Sequence, residues 1–357
     1  MSDPHGVSRR TILGGALAAA LAIGTGLWAS GRDKASTVVT AIRATLPRAD
    51  KPLPALPTDP AAAIPGLSTL ITPAATFYRI DISGEIPMPA VKSWTLTIDG
   101  LVDRPMTLTF DELLQREIVE VDATISCVSN WVGGSLVGNA RWTGVRLDSL
   151  LAEAGIKPQA DQVMGHSVDD FTAGFPTAVL DGRDAIIAIG MNGAPLPAEH
   201  GYPARIIVPG LYGYVSAVKW LSRIELTRFD EQVGYWVPRG WASRAPMKVA
   251  SRTDTPKEGA STQSGGKQIS GVAWSSNVGI AQVEVQVDAG PWLPATLGPQ
   301  LARSTWRQWW LPWDATVGTH TISVRATDSD GRLQSRTPVD AMPNGAEGLH
   351  SVTIDVV

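Results

Sequence analysis

Residues 118–151 read "IVEVDATISCVSNWVGGSLVGNARWTGVRLDSLL" and contain Cys127, the only cysteine among the 357 residues of the chain. The apolar run before Cys127 predicts a buried strand, and the "VSNWVGG" that follows it predicts a glycine-rich loop. Farther on, "RLDSLLAEAGI" (146–156) predicts a short helix that ends at Gly155. Cys127 therefore lies where a strand gives way to a loop, and such a loop can hold a reactive group at the floor of a pocket.

The chain begins with a pattern typical of export signals. "VSRRTILGGALAAALA" (7–22) places Arg9 and Arg10 before an apolar stretch that carries no charge until Arg32. A basic region before an apolar one is the layout of a secretory signal, and adjacent arginines are typical of the twin-arginine route. We predict that residues 1–31 are a twin-arginine-type signal or membrane anchor, either cleaved or retained. The protein is then exported across the cytoplasmic membrane and anchored to its outer face, in the periplasm or at the cell surface.

The composition argues against several classes of protein. The net charge is -4 at pH 7 and no long basic run occurs, so nucleic-acid binding driven by phosphate neutralisation is not expected. Only 18% of the residues are charged, whereas the 35 Gly and 26 Pro are plentiful, a mixture typical of a loop-rich β protein. A single cysteine cannot form an intrachain disulfide, so stability has to come from packing.

The sequence pattern divides the rest of the chain into a tether and two domains. Residues 32–75 are rich in Pro, Ala and Thr, which predicts an extended tether. Residues 76–250 combine strand patterns with short helix patterns, and "LTFDELLQ" (108–115) carries a capping box. Residues 251–268 are polar with many Gly and Ser, which predicts a linker. Short strands spaced by turns in 269–357 predict an immunoglobulin-like sandwich. The predicted fold class is α+β, mainly β.

Cys127 is the first candidate for chemistry, because a lone thiol in an exported protein is a liability unless something occupies it. Its thiolate is both the nucleophilic and the metal-binding form of cysteine. A cysteine hydrolase needs a histidine to activate the thiol, and the candidates are His166 and His200. Zinc is poorly supported, because no Cys-x-x-Cys or His-x-x-x-His spacing occurs. A metal held chiefly by an organic cofactor needs only one protein thiolate, and a simple buried cysteine is the remaining alternative.

Three long motifs resemble the sulfite oxidase family of molybdopterin enzymes. They are "CVSNWVGGSLVGNARWTGVRLDSLL" (127–151), "MNGAPLPAEHGYPARIIVPGLYGYVSAVKWLSRIEL" (191–226) and a late stretch from "SGVAWSSNVGIAQVEVQVDAGPW" (270–292) to "HTISVRATDSDG" (320–331). The resemblance extends over about residues 76–357 and is closest to bacterial members without a haem domain. It implies a sulfite-oxidase-type molybdopterin-binding domain followed by an immunoglobulin-like dimerisation domain, with molybdopterin as the cofactor.

The resemblance also implies a role for each residue that matches a family motif. Cys127 corresponds to the thiolate ligand of molybdenum, and Arg79 and Tyr235 line the approach to the metal. The implied cofactor contacts are Phe77, Tyr78, Arg79, either Asp169 or Asp170, His200, Arg205, Ser216 and Lys219. A pterin phosphate needs cations and nearby backbone N–H donors. Soft sulfur ligands, from a dithiolene and a thiolate, support a metal that cycles between high oxidation states.

One departure from the family concerns the substrate. Sulfite-oxidising members place arginines just after the "C-x-x-N" stretch, and a positive pocket suits a dianion. Here that position reads "WVGG" (131–134), which is neutral and apolar, and Arg141 lies farther along the chain. The expected substrate is therefore sulfite or, in better agreement with this loop, a sulfoxide or N-oxide.

These observations predict a molybdenum-dependent oxidoreductase that performs two-electron oxygen-atom transfer. No Cys-x-x-Cys-His motif occurs, so no haem is expected in this chain, and electrons pass to or from a separate cytochrome or membrane redox protein. The resemblance implies a homodimer through the sandwich. The alternative is a cell-surface binding or assembly module on the same scaffold without catalysis, and a cysteine hydrolase is the third hypothesis.

Overall fold

The computed structural model describes residues 46–357. The strands of the first domain are β1 (Thr95–Gly100), β2 (Met106–Thr109), β3 (Ile118–Ser126), β4 (Val137–Arg146), β5 (Gln162–Ser167), β6 (Thr172–Pro176), β7 (Ile186–Met191), β8 (Ala194–Pro195), β9 (Arg205–Ile207) and β10 (Leu221–Thr227). Its α-helices are α1 (Phe110–Leu114), α2 (Leu147–Ala154) and α3 (Gly213–Ser216). Two sequence predictions are confirmed: α1 begins with the capping box of Thr109 and Glu112, and α2 ends at Gly155.

The first domain contains two sheets. One has the strand order β2-β1-β10-β5-β6, and the other has the order β3-β4-β7-β8 with β9 paired to β7. The second sheet is buried on both faces: Ile118 and Val145 pack into one hydrophobic cluster, and Val121 and Trp142 pack into another. β3 alternates apolar residues such as Val121, which pack into the second of these clusters, with buried polar residues such as Asp122 and Thr124 on its other face. Cys127 directly follows this strand, so its backbone is fixed by the core.

The second domain is a β-sandwich. Its strands are β11 (Ala250–Thr255), β12 (Ser261–Thr262), β13 (Gly265–Trp274), β14 (Ile280–Val287), β15 (Leu293–Pro294), β16 (Thr296–Leu297), β17 (Arg307–Ala315), β18 (Gly318–Asp328) and β19 (His350–Val356). They form sheets of order β11-β13-β17-β16 and β12-β19-β18-β14-β15, which share a hydrophobic cluster that includes Ile269, Trp309 and Val324. The fold is therefore α+β and mainly β, as predicted, whereas the immunoglobulin-like class of the sandwich stays a prediction.

The predicted linker at residues 251–268 is wrong, because this segment is part of the sandwich. It contains most of β11, all of β12 and the first residues of β13. β11 is the edge strand of its sheet, and an edge strand tolerates the polar side chains that suggested a linker. The crossing between the domains precedes β11: residues 228–249 contain, in the described structure, one 3-10 turn at Val237–Arg239 and no strand.

The part of the predicted tether that the structure describes, residues 46–75, packs against both domains. The Asp50 N–H donates to the Ile118 carbonyl at 2.8 Å, and the Asp50 carboxylate accepts from the Ile118 N–H at 2.8 Å. The Leu70 carbonyl accepts from the indole N–H of Trp306 in the second domain at 3.1 Å. A proline-rich segment keeps free carbonyls that can accept such bonds. These residues are mainly extended, with short 3-10 turns at Pro60–Ala62 and Ala74–Thr76, and they belong to the folded unit instead of leading to it as a free tether.

The second domain also contacts β3 directly. The Thr124 hydroxyl accepts from the Trp306 N–H at 2.7 Å, and the Thr124 N–H donates to the Ser304 carbonyl at 3.0 Å. The Ser304 hydroxyl in turn donates to the Asp122 carbonyl at 2.8 Å. The strand that leads to Cys127 is therefore held by both domains.

No helix within residues 46–357 is long and apolar enough to cross a membrane. The predicted signal or anchor at residues 1–31, with Arg9 and Arg10, lies outside the described residues. The described structure therefore does not test the prediction of export.

Candidate active site

A cavity of about 430 Å³ lies at the end of β3 in the first domain. Its wall is built from segments that are far apart in sequence: 77–82, 125–129, 167–171, 200–220 and 236–241. The predicted site residues that line it are Phe77, Tyr78, Arg79, Cys127, Asp169, His200, Arg205 and Lys219. The fold therefore brings together most of the residues that the family motifs indicated.

Cys127 is held at the cavity by the loop that follows it. Its N–H donates to the Leu136 carbonyl at 2.9 Å, and the Asn130 side-chain carbonyl accepts from the Leu136 N–H at 2.9 Å, which closes the loop. The Cys127 Sγ lies 3.0 Å from the hydroxyl of Ser129, which also lines the cavity. Burial raises the pKa of the thiol, and a bound cation would reverse that preference. Sequence reasoning missed Ser129, although a hydroxyl two residues after a reactive cysteine was a usable signal.

The rest of the loop after Cys127 faces away from the cavity. The Trp131 side chain is 74% exposed and is not part of the cavity wall in the described structure. Gly133 lies against His350 of the second domain, so closely that a Cβ there would be 2.1 Å from the His350 ring. Arg141 pairs with Asp122 at 2.8 Å. The predicted role of residues 131–134 in shaping the substrate pocket therefore does not agree with their position.

An aromatic wall is formed by Phe77 and Tyr78. The Phe77 ring lies over Gly138 of β4, where a Cβ would come within 2.6 Å of it, so the approach requires glycine. Phe77 stacks on Tyr78 with ring centroids 5.4 Å apart and meets the His200 ring edge-on at 5.7 Å. Burial, with the nearby Cys127 as a smaller cause, raises the pKa of Tyr78 well above its ordinary value. The Tyr78 hydroxyl therefore stays protonated and can donate a hydrogen bond.

His200 is a neutral imidazole in this wall. Its Nε2 lies 2.8 Å from the Ala74 carbonyl, which can only accept, so Nε2 carries the proton. Burial, helped by the charges of Arg205 and Lys219, lowers the pKa of His200 to about 4. A second nitrogen, Nδ1, is then free as an acceptor.

Arg205 and Lys219 are the buried cations of the cavity. The Arg205 guanidinium donates to the His200 carbonyl at 3.0 Å and lies over the Trp142 ring at 5.2 Å. Burial lowers the pKa of Arg205 to about 10 and that of Lys219 to about 8. Both side chains are therefore mainly protonated at pH 7, although they are removed from water.

Gly201 sets the spacing between these two cations. Its φ of +107° belongs to the region that favours glycine, and a Cβ on Gly201 would lie 3.0 Å from the Lys219 Cβ and 3.1 Å from the Arg205 Cβ. The "HGYPAR" motif therefore includes a glycine for a steric reason that the sequence alone did not show.

Asp81 is the second residue of the site that sequence reasoning missed. Its Oδ2 accepts from Arg79 Nε at 2.6 Å and from Lys219 Nζ at 2.8 Å, and its Oδ1 accepts from Arg79 Nη2 at 3.2 Å. Asp81 also lines the cavity. A sequence gives no signal for this ion pair, because Lys219 is distant along the chain and reaches Asp81 only through the fold.

The structure distinguishes between Asp169 and Asp170. Asp169 lines the cavity, and its Oδ1 accepts from the Phe171 N–H at 3.3 Å. Asp170 is exposed in a turn with a φ of +65°. Of the two alternatives, Asp169 is the one placed to contact a ligand.

Three other candidates are not brought to the cavity wall in the described structure. Ser216 is buried in α3, where its hydroxyl donates to the Tyr212 carbonyl at 3.0 Å. Tyr235 packs against Phe171 at 5.9 Å and under the Arg239 guanidinium at 3.6 Å, so it stands behind the wall. His166 pairs with Glu225 at 3.1 Å. Neither His166 nor His200 bonds to Cys127 among the described residues, and the thiol-activating pair that a cysteine hydrolase needs is not seen there.

Most of the remaining wall is apolar. It includes Ile80, Ile82, Phe171, Trp236 and Trp241. Ile80 is 49% exposed, which places it at the opening of the cavity. The site thus combines a polar floor of cations and carboxylates with an apolar entrance.

Comparisons with known proteins decide the family. Residues 83–236 match the model of the oxidoreductase molybdopterin binding domain. The uncharacterized oxidoreductase YuiH of Bacillus subtilis (strain 168) is 34% identical over 170 residues, which are 47% of this chain and 83% of that protein. This chain belongs to the sulfite oxidase family of molybdopterin oxidoreductases.

Other known proteins match over a longer part of the chain. The sulfite oxidase of Gallus gallus is 29% identical over 318 residues, which cover 74% of this chain and 68% of that protein. Nitrate reductase [NADH] 1 of Oryza sativa subsp. japonica is 30% identical over 331 residues, but only 36% of its length is covered. The structure of the sulfane dehydrogenase SoxCD from Paracoccus pantotrophus superposes with a TM-score of 0.69 at 25% identity, over 82% of this chain and 84% of that one. The chain is therefore a molybdenum-dependent oxidoreductase of the sulfite oxidase family.

The cavity fits the cofactor that this family binds. Asp169 Oδ2 and Arg205 Nε are buried polar atoms that have no hydrogen-bond partner among the described residues. A pterin supplies N–H donors for such a carboxylate, and its phosphate supplies acceptors for such a guanidinium. The Cys127 thiol is a soft donor group at the same wall. The unpaired groups thus match the chemistry of a phosphorylated, metal-bearing pterin.

Proposed function

We propose that the protein is an exported enzyme that carries out two-electron oxygen-atom transfer at a molybdenum ligated by Cys127, with a sulfoxide or N-oxide as its oxo-substrate. The observation that carries the choice of substrate is the charge balance of the cavity. Its charged lining residues are Arg79, Asp81, Asp169, Arg205 and Lys219.

None of the cations among these described residues is left for an anionic substrate. Arg79 and Lys219 both pair with Asp81. Arg205 is buried and already donates to the His200 and Ala217 carbonyls, and its free Nε suits the cofactor phosphate. A sulfite dianion would therefore enter without a cation to compensate its desolvation. An uncharged oxo-compound does not incur this cost.

The apolar entrance supports the same substrate class. Phe171, Trp236 and Trp241 form a surface that suits the organic part of a sulfoxide or N-oxide. Such side chains also exclude water when a substrate fills the opening, which strengthens the electrostatic interactions inside.

The residues of the chain position the reaction, and the cofactor, when bound, supplies an oxo group and a two-electron redox couple. The Cys127 thiolate would hold the metal at the end of β3. Arg205, still cationic with a pKa of about 10, would bind the phosphate, and the unpartnered Asp169 Oδ2 would accept from the pterin. His200 remains neutral and keeps its Nε2 proton on the Ala74 carbonyl.

The test is expression in a host that makes the cofactor, followed by metal and pterin analysis and steady-state kinetics with sulfite, a sulfoxide and an N-oxide. We expect about one molybdenum per chain, and a higher kcat/KM for a neutral substrate than for sulfite. The absence of molybdenum would leave the binding-module hypothesis. A preference for sulfite would overturn the substrate proposal while leaving the enzyme class intact.

Localisation and partners are proposed from the sequence. The arginine pair at Arg9 and Arg10 supports export by the twin-arginine route, and we expect Arg9→Lys/Arg10→Lys to leave the protein in the cytoplasmic fraction. The electron partner is a separate cytochrome or membrane redox protein. A homodimer through the sandwich would be seen by light scattering as twice the chain mass of 37.8 kDa; a single chain mass would remove that proposal.

A further inference from the structure

Asp81 links two cations of the cavity that would otherwise be separate. Its side chain is only 8% exposed, and those of Arg79 and Lys219 are 20% and 10% exposed. A single carboxylate oxygen, Oδ2, accepts from both cations. Burial alone would raise the pKa of Asp81, but the hydrogen bond from Arg79 and the charge of Lys219 outweigh it, and the pKa lies below its ordinary value. Asp81 is therefore an ionised group inside the site.

The arrangement resembles the way in which a protein binds an external oxyanion. Arg79 donates through Nε and Nη2 to the two oxygens of Asp81, the fork geometry that also recognises sulfate, sulfite or phosphate. Lys219 adds a point charge on one of these oxygens. Because Asp81 is attached to the same loop as Arg79, it competes with any free anion at a high effective concentration.

We propose that Asp81 is a specificity-determining residue whose carboxylate takes the place between Arg79 and Lys219 that an external oxyanion would otherwise occupy, and so excludes anionic substrates. This inference rests on the proposed function, in which the cavity accepts an uncharged oxo-compound. A dianion at this site would have to displace Asp81 or lie beside it with like charges in contact, and either arrangement disfavours it. Arg79 is the cation expected to face the metal. Because it is paired with Asp81, Arg79 can orient a substrate by hydrogen bonding but cannot recognise an anionic substrate by its charge.

The experiment measures the binding of sulfate, an unreactive dianion, by titration calorimetry to the cofactor-loaded protein. Asp81→Asn keeps the shape of the side chain and removes its charge. We expect it to bind sulfate at least about tenfold more tightly than the wild type, because one unit charge within hydrogen-bond distance of the anion is removed. The double variant Asp81→Asn/Arg79→Gln should return to the weak affinity of the wild type.

The matched control is Asp99→Asn. Asp99 also pairs with an arginine, Arg223, at 2.8 Å, but neither residue lines the cavity in the described structure. This variant should bind sulfate as the wild type does. Asp81→Ser is a second test of the same charge, and a thermal melt of each variant shows that it is folded.

Three results would overturn the inference. The first is an unchanged sulfate affinity in both Asp81 variants. The second is a gain that survives Arg79→Gln. The third is a gain that occurs only in cofactor-free protein and disappears with Lys219→Met, because Asp81 would then guard the cofactor phosphate instead of the substrate. Failure of the proposed function is visible separately, as a kinetic preference of the wild type for sulfite over the neutral substrates. The sulfate titrations still decide the role of Asp81 in that case.

Discussion

Gly201→Ala tests how the fold sets the spacing of the two buried cations. Alanine at this position has to adopt a φ of +107°, which costs about 1–2 kcal/mol. The new methyl group would lie 3.0 Å from the Lys219 Cβ and 3.1 Å from the Arg205 Cβ, and overpacking of this kind adds about 1–3 kcal/mol. We therefore expect a loss of roughly 2–5 kcal/mol in the free energy of unfolding, with a lower molybdenum content.

Gly193→Ala is the matched control. Gly193 has a φ of +73°, but no atom lies within 4 Å of a Cβ built there. It should lose only the backbone contribution, about 1–2 kcal/mol, and keep its molybdenum. The assay is guanidinium denaturation of both cofactor-free variants, with metal analysis of both after expression in a cofactor-producing host. Equal stability and equal molybdenum content in the two variants would refute the claim that Gly201 spaces Arg205 and Lys219.

Three further predictions follow from other parts of the structure. The pKa of His200 is lowered from 6.5 to about 4, so the unfolded chain binds more protons than the folded protein between these pH values. The free energy of unfolding therefore falls as the pH drops from 6.5 to 4, by about 3 kcal/mol at about 1.4 kcal/mol per pH unit. Denaturation curves of His200→Gln should lack this part of the pH dependence. Trp131 is 74% exposed and faces away from the cavity, so Trp131→Ala should change the KM of the substrate by less than about twofold, and a larger change would restore the loop after Cys127 as a substrate contact. Thr124→Val removes the acceptor of the Trp306 N–H in a buried contact between the domains, and it should lower the free energy of unfolding by about 1–3 kcal/mol. The control Thr319→Val removes an exposed bond to Asp355 and should lower it by less than about 0.5 kcal/mol.

The elements with strong local signals were predictable from the sequence. The capping box of Thr109 and Glu112 and the terminal Gly155 are signals formed by residues a few positions apart, and the structure confirms both helices. The segment before Cys127 predicts β3, in which apolar residues alternate with polar ones such as Thr124, which bonds to the second domain. Local patterns are therefore sufficient to locate Cys127 at the end of a core strand.

The misplaced segments share a physical cause, since packing partners distant in sequence decide their structure. Prolines limit residues 46–75 to extended chain and short 3-10 turns, but they do not prevent the segment from donating and accepting hydrogen bonds along both domains. The polar residues at 251–255 suggested a linker, yet pairing with β13 makes them an edge strand. Asp81 was missed for the same reason, because its significance arises from Lys219, which is distant in sequence and meets Asp81 only in the fold.

The family motifs predicted most of the cavity wall, and the exceptions are informative. The wall includes Cys127, His200, Arg205 and Lys219. These residues belong to motifs with specific chemistry, which made them predictable. Ser216 is adjacent in sequence to the wall, but its hydroxyl is used inside α3. Tyr235 does not line the cavity, but the next residue, Trp236, does. The loose motif around Tyr235 therefore predicted the right loop but the wrong residue.

The most direct test of the central claim is X-ray absorption at the molybdenum edge of the wild type and of Cys127→Ser. If the thiolate at the end of β3 ligates the metal, the wild type has one more sulfur neighbour of molybdenum than the variant, and the thiolate-to-metal absorption band is lost with it. Equal sulfur counts in the two proteins would contradict the account, because Cys127 would then be a buried thiol beside the metal and not its ligand.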